Sequence, residues 1–119
     1  MAALSEEDLK ACSLGYRWKY VHAAAQAVAD GNIDLDALLT ADEKTTITTL
    51  TGLFGVGLKV TNCVSLFGLH HMDAFPIDVW VRRVLEEHYP DGYPYARYAP
   101  YNGVCQQYMF AWYRHGGNI

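Results

Sequence analysis

Lys59 and Asp78 are the side chains in this 119-residue sequence whose types and settings suit covalent chemistry. Lys59 follows Gly55-Val56-Gly57 and falls in the first turn of a predicted helix. The dipole at that end of a helix disfavours a cation, and an amine that gives up its proton is a nucleophile. Asp78 comes nineteen positions later, at the end of the loop containing Phe75-Pro76-Ile77. A carboxylate brought near a lysine can orient a substrate, move a proton or stabilise developing positive charge. Each residue also has a plain structural reading. Lysine stems commonly cover apolar surface, and an aspartate at a helix N-cap contributes about 1 kcal/mol to the helix.

Three further residues share faces with these two. Cys63 is four positions after Lys59, and Gln106 and Phe110 are four apart on a later predicted helix, so each pair is aligned on one side of its helix. A soft sulfur, an aromatic ring and an amide that both donates and accepts suit a pocket for a planar base. Ordinary core packing accounts equally well for Cys63 and Phe110. The glycines of Gly55-Val56-Gly57 permit positive φ and close approach, and amides at the start of the following helix suit a phosphate.

The elements that must position these residues read as helices. Ser5 caps a short helix with Glu6, Glu7 and Asp8 in its first turn, ending near Ser13. A second runs from about Tyr16 to Asp30, with Tyr20, Ala24, Ala27 and Val28 at helical spacing, an alanine run that implies close packing, and Gly31 as its stop. Asp34 caps a short turn through Leu38, and Thr40 with Glu43 has the form of a capping box. The helix opened there carries Ile47, Leu50 and Leu53 inward. After the glycine turn, Val60, Cys63, Val64 and Phe67 mark a buried stripe that ends at Gly68. Asp78 caps the next helix, whose apolar face is Val81, Val84 and Leu85. An aromatic loop then leads to a last helix from about Pro100 to Arg114, stopped by Gly116-Gly117. No stretch alternates with period two, so the expectation is an all-α fold of five to seven helices, with residues 1–119 as a single domain.

Composition narrows the partners. Hydrophobic content of 51% argues against disorder. A net charge of −4 is unusual for a nucleic-acid binder, although Arg17 with Lys19 and Arg82 with Arg83 form two local basic pairs. Cys12, Cys63 and Cys105 are too few and too dispersed for a zinc or iron–sulfur framework, and an odd count with no leader segment fits the reducing cytoplasm. Adjacent His70 and His71 point in different directions and do not make a metal site. No apolar run reaches membrane-spanning length.

Four segments together resemble the helix–hairpin–helix DNA glycosylases with a Gly/Pro-rich loop and aspartate, and within them the bacterial-type 8-oxoguanine DNA glycosylases. They are Leu14-Gly15-Tyr16-Arg17, Phe54-Gly55-Val56-Gly57-Leu58-Lys59, Phe75-Pro76-Ile77-Asp78 and Gln106-Gln107-Tyr108-Met109-Phe110, in family order from about Leu14 to Arg114. The resemblance implies an enzyme of base-excision repair acting on damaged double-stranded DNA. Lys59 would expel the oxidised purine through a Schiff base that β-elimination resolves, assisted by Asp78. Cys63 and Phe110 would sandwich the flipped base and Gln106 would bond its Watson–Crick edge. Tyr16 and Arg17 would fill and read the gap opposite, near the orphan cytosine. The backbone of Gly55, Val56 and Gly57 would grip phosphate, with a monovalent cation held by the carbonyls of Phe54 and Val56 and no other cofactor. Trp80 stands where animal-type members have a histidine that contacts DNA. The same resemblance implies additional upstream helices, so the chain is expected to be an incomplete glycosylase domain with exposed apolar surface and a tendency to self-associate. A non-catalytic DNA-binding module and an inactive fragment are the alternative expectations. The implied location is the bacterial cytoplasm, at the nucleoid.

Overall fold

The computed structural model describes residues 1–116, and Gly117 of the predicted stop lies outside them. Every regular element among these residues is helical. The chain divides into two compact units, Met1–Gly57 and Leu58–Ile119.

In the first unit, α1 (Glu6–Lys10) begins with a reciprocal capping box. The Asp8 amide donates to Ser5 Oγ at 3.2 Å, and the Ser5 amide donates to Asp8 Oδ2 at 3.3 Å. The helix stops three residues before the expected Ser13, which itself has φ of 60°. A 3₁₀ turn at Gly15–Arg17 precedes α2 (Trp18–Ala29), so the expected start at Tyr16 is a tighter turn and the α-helix begins two residues later. No residue of α2 is fully buried, so its alanine run does not form the closely packed face expected of it. Asp34 caps α3 (Leu35–Leu38) through the Ala37 amide at 3.2 Å.

The cap of α4 (Glu43–Thr51) differs from the expected Thr40–Glu43 box. Asp42 Oδ1 accepts from the Thr45 amide at 2.7 Å, while Thr40 Oγ1 donates back to the Ala37 carbonyl. Two helix ends compete for nearby polar side chains. The carboxylate, which also complements the dipole, takes the N-terminus, and the hydroxyl serves the end of α3. Leu9, Ile33, Leu38 and Leu50 are the buried apolar residues of this unit.

In the second unit, α5 (Leu58–Cys63) runs directly into a π-helical turn at Val64–Gly68. The Leu69 amide closes that turn on the Val64 carbonyl at 3.0 Å, five residues back. The predicted buried stripe is displaced. Val60 is 45% exposed and Phe67 63% exposed, and Thr61, Ser65, Leu66 and Leu69 are buried instead. Ser65 can turn inward because its Oγ donates to the Thr61 carbonyl at 2.8 Å, whereas the hydroxyl of Thr61 is buried with no hydrogen-bond partner among the described residues. That leaves much of the apolar stripe facing out.

α6 (Val79–His88) buries Val81 and Val84 as expected, with Leu85 half-buried. The aromatic loop contains one more helical turn than expected, α7 (Tyr95–Tyr98), which brings the α-helical segments among the described residues to eight. Tyr93 lies at the centre of an aromatic cluster, 5.0 Å from Phe75, 4.8 Å from Tyr95 and 5.1 Å from Tyr89, measured between ring centroids. Burial there, and then the nearby Cys105, raise its phenol well above the ordinary tyrosine range. α8 spans Asn102–Arg114, two residues later than the predicted start at Pro100.

The loop between the π turn and α6 is tied to α8 at three places. Asp73 Oδ1 accepts from the Asn102 amide at 3.1 Å and from Asn102 Nδ2 at 2.6 Å. The Gly103 amide donates to the Met72 carbonyl at 2.8 Å. Gln106 Nε2 donates to the Pro76 carbonyl at 2.9 Å. Since Tyr101 makes no side-chain cap, Asp73 acts as the cap of α8 from twenty-nine positions away. Only glycine fits at 103, because a Cβ there would lie 2.3 Å from the Ala74 carbonyl oxygen.

Candidate active site

α5, the tied loop and α8 enclose a cleft of about 160 Å³ in the second unit. α5 contributes Lys59 and Cys63, and the π turn contributes Phe67. The loop contributes Pro76 and Asp78, and α8 contributes Gln106, Gln107 and Phe110. The five residues selected from sequence for catalysis and base contact therefore line one cavity. Lys59 is exposed in the first turn of α5, while Asp78 and Cys63 are half-buried.

Asp78 is fixed by the bond it makes as a cap. Its Oδ1 accepts from the Val81 amide at 2.8 Å, and Oδ2 takes no part in that bond. One oxygen thus orients the carboxylate and the other remains for chemistry. The tie between Gln106 and Pro76, two residues before Asp78, fixes the approach of the loop.

Gln106 is 3% exposed and engaged at both ends of its amide. Its nitrogen faces the Pro76 carbonyl, which can only accept, so its oxygen must be the atom turned toward Gln107, whose Nε2 donates to it. A ligand edge that donates to the Gln106 oxygen must share it with Gln107 or displace that side chain. Gln107, Phe67 and Pro76 were not singled out from the sequence. The adjacency of two glutamines on a helix was the available signal for Gln107. For Phe67 there was none, because the stripe containing it reads as core.

The residues expected to touch DNA lie in the first unit. Tyr16 and Arg17 occupy the exposed 3₁₀ turn, with the Arg17 guanidinium 4.9 Å from the Tyr16 ring. Tyr16 meets Tyr20 edge-on at 6.1 Å, and Tyr20 meets Phe54 at 5.1 Å. Tyr20 therefore links that turn to the hairpin, a role its place on an apolar face of α2 did not reveal. Gly55 has φ of 79°, and a Cβ added to it would lie 2.2 Å from the Tyr20 ring. Gly57 differs: its φ is not in the left-handed region and nothing lies within 4 Å of an added Cβ. Phe54 and Val56 flank Gly55. Outside the helices' own ladders, no backbone amide among the described residues donates to either of their carbonyls. No cluster of three or more His, Cys, Asp or Glu side chains suited to a metal ion occurs among the described residues.

Comparison with known proteins gives this geometry a family context. No family model matches the chain. It is 35% identical over 86 residues to a probable N-glycosylase/DNA lyase of Methanothermobacter thermautotrophicus, an alignment covering 72% of this chain and 27% of that protein. It is 32% identical over 88 residues to the N-glycosylase/DNA lyase OGG1 of Arabidopsis thaliana, covering 71% and 24% respectively. Among solved structures, MBOgg1 in complex with a low-affinity DNA ligand matches with a TM-score of 0.88 and 31% identity, over 99% of this chain and 44% of that one. The Clostridium acetobutylicum 8-oxoguanine glycosylase/lyase, bound to double-stranded DNA with cytosine opposite 8-oxoG, matches with a TM-score of 0.85 and 25% identity. It is covered over 43% of its chain and covers 98% of this one. The chain spans about a quarter of the length of these curated relatives. In sequence and in helical fold alike, the chain is similar to part of these N-glycosylase/DNA lyases and 8-oxoguanine glycosylase/lyases.

Proposed function

We propose that the chain carries the base-excision chemistry of an 8-oxoguanine DNA glycosylase with AP-lyase activity. The observation that carries this reading is the shared cleft, in which a lysine, an oriented carboxylate, a thiol, a ring and an amide converge. Lys59 Nζ, as the neutral amine, attacks C1′ of the flipped nucleotide. The N-glycosidic bond breaks with its electron pair going to the base, which leaves after taking up a proton. The amine sheds a proton as the sugar ring opens to an iminium. Loss of a proton from C2′ then expels the 3′ phosphate and nicks the strand. Asp78, held by its cap bond, stabilises positive charge at the sugar and relays protons through its other oxygen. Cys63 and Phe110 hold the base, and Gln106 presents its carbonyl oxygen to a donor edge.

Tyr16 and Arg17 take the opposite strand, and the backbone of Gly55, Val56 and Gly57 takes phosphate. The carbonyls of Phe54 and Val56 are hard oxygen donors suited to a monovalent cation, which would neutralise charge between turn and phosphate. Such chemistry belongs with the nucleoid in the cytoplasm. The outward stripe of Leu58, Val60, Val64 and Phe67 favours self-association of the isolated chain.

Borohydride trapping on a duplex carrying 8-oxoguanine opposite cytosine tests the reading. The expected outcome is a covalent adduct that disappears in Lys59→Gln. An adduct that persists in that variant removes Lys59 as the nucleophile, and DNA retention with no adduct points to a non-catalytic binding module.

A further inference from the structure

Beside the cleft, α6 and α8 bring two guanidinium groups onto one indole. Arg83 Cζ lies 5.4 Å from the centroid of the Trp80 ring, and Arg114 Cζ lies 5.3 Å from it. Arg114 is also 5.8 Å from the ring of Phe110, a wall of the cleft. This cation therefore connects the lip of the cleft to Trp80. Both arginines are exposed, and among the described residues no carboxylate lies within ion-pair distance of either. The acid of this cluster, Glu87, accepts from the Tyr113 hydroxyl at 3.1 Å. Tyr113 in turn packs 5.9 Å from Trp80, between ring centroids.

A guanidinium held over a ring keeps its N–H edge for a further partner in a fixed fork; that of Arg83 already meets the Tyr113 hydroxyl. That fork matches a phosphate bidentately. Two such groups without carboxylate partners are notable in a chain of net charge −4, and Arg114 stands beside Phe110, a wall of the cavity. A nucleotide whose base enters the cleft carries a phosphodiester on each side of its sugar.

We propose that Arg83 and Arg114, stacked on Trp80, form a clamp for the DNA phosphodiester adjoining the nucleotide held in the cleft. The clamp rests on the reading of the cleft as a nucleotide site. It supplies affinity from side chains, independently of the hairpin backbone.

The test is binding of the full chain to an 8-oxoguanine·cytosine duplex across a salt series, with circular-dichroism melting to confirm that each variant is folded. Arg83→Gln and Arg114→Gln should each lower the slope of log K against log salt by about 0.9, and the double variant by about twice that. Arg114→Lys should keep the slope but bind more weakly, because it retains charge without the fork. A double variant with the wild-type slope overturns the clamp, even if the wild type forms a borohydride adduct. A reduced slope in a chain that never forms an adduct upholds the clamp while removing the glycosylase reading. Absence of duplex binding by the wild type overturns both.

Discussion

The proposed function gives the two oxygens of Asp78 separate tasks, one as a helix cap and one in the chemistry, and they can be tested apart. Asparagine is as good an N-cap as aspartate, so Asp78→Asn should leave thermal stability nearly unchanged while slowing base excision by two orders of magnitude or more. Asp78→Ala should lose the chemistry and also about 1 kcal/mol of stability. Single-turnover excision assays alongside thermal melts distinguish the two variants, and an Asp78→Asn enzyme of normal rate would show that the carboxylate is only a cap. At this scale much was legible in the sequence. Lys59, Cys63, Asp78, Gln106 and Phe110 have distinctive chemistry at helical spacing, and they do line one cleft. Gln107 and Asp73 were not legible, because their importance depends on partners brought near by folding: the Gln106 oxygen and the start of α8.

At the scale of elements, the hairpin glycines are unequal. Gly55→Ala must place a methyl group against the Tyr20 ring at a φ that side chains rarely adopt. The expected loss exceeds about 2 kcal/mol, combining strain and overpacking. Gly57→Ala meets nothing within 4 Å and should stay within about 0.5 kcal/mol of wild type. Urea unfolding of both variants decides the matter; equal losses would mean that the turn is not built around Tyr20. The cap of α4 adds a pH dependence. Hydrogen bonds from the Thr45 side chain, and then from its backbone, hold the Asp42 carboxyl below its ordinary value of 3.8. The stabilisation is therefore present above that value and is lost as pH falls through the lower folded value. The first turn of α4 should fray only in that acid window, read by exchange of the Thr45 amide. Helix existence was plain from periodicity and caps, but the buried face of α5 was not. Period alone cannot tell that Thr61 and Ser65 turn inward while Val60 and Phe67 turn out.

For the molecule as a whole, that outward stripe predicts behaviour in solution. Sedimentation should show concentration-dependent association, reduced by Val60→Ser with Phe67→Ser; a monomer at all concentrations would dismiss it. The three ties between loop and α8 have a different consequence, which concerns where the sequence is free to drift. Asp73–Asn102, Met72–Gly103 and Pro76–Gln106 act as a ruler, pairing residue with residue across the long chain excursion that contains α6 and α7. A residue inserted between Met72 and Pro76, or between Asn102 and Gln106, moves at least one tie out of register and shifts Asp78 relative to α8. A residue inserted in the exposed turn around Asp91 and Gly92 leaves every tie in place. Length variation in this part of the chain should therefore be confined to the aromatic excursion, while the spacing of loop and helix stays fixed.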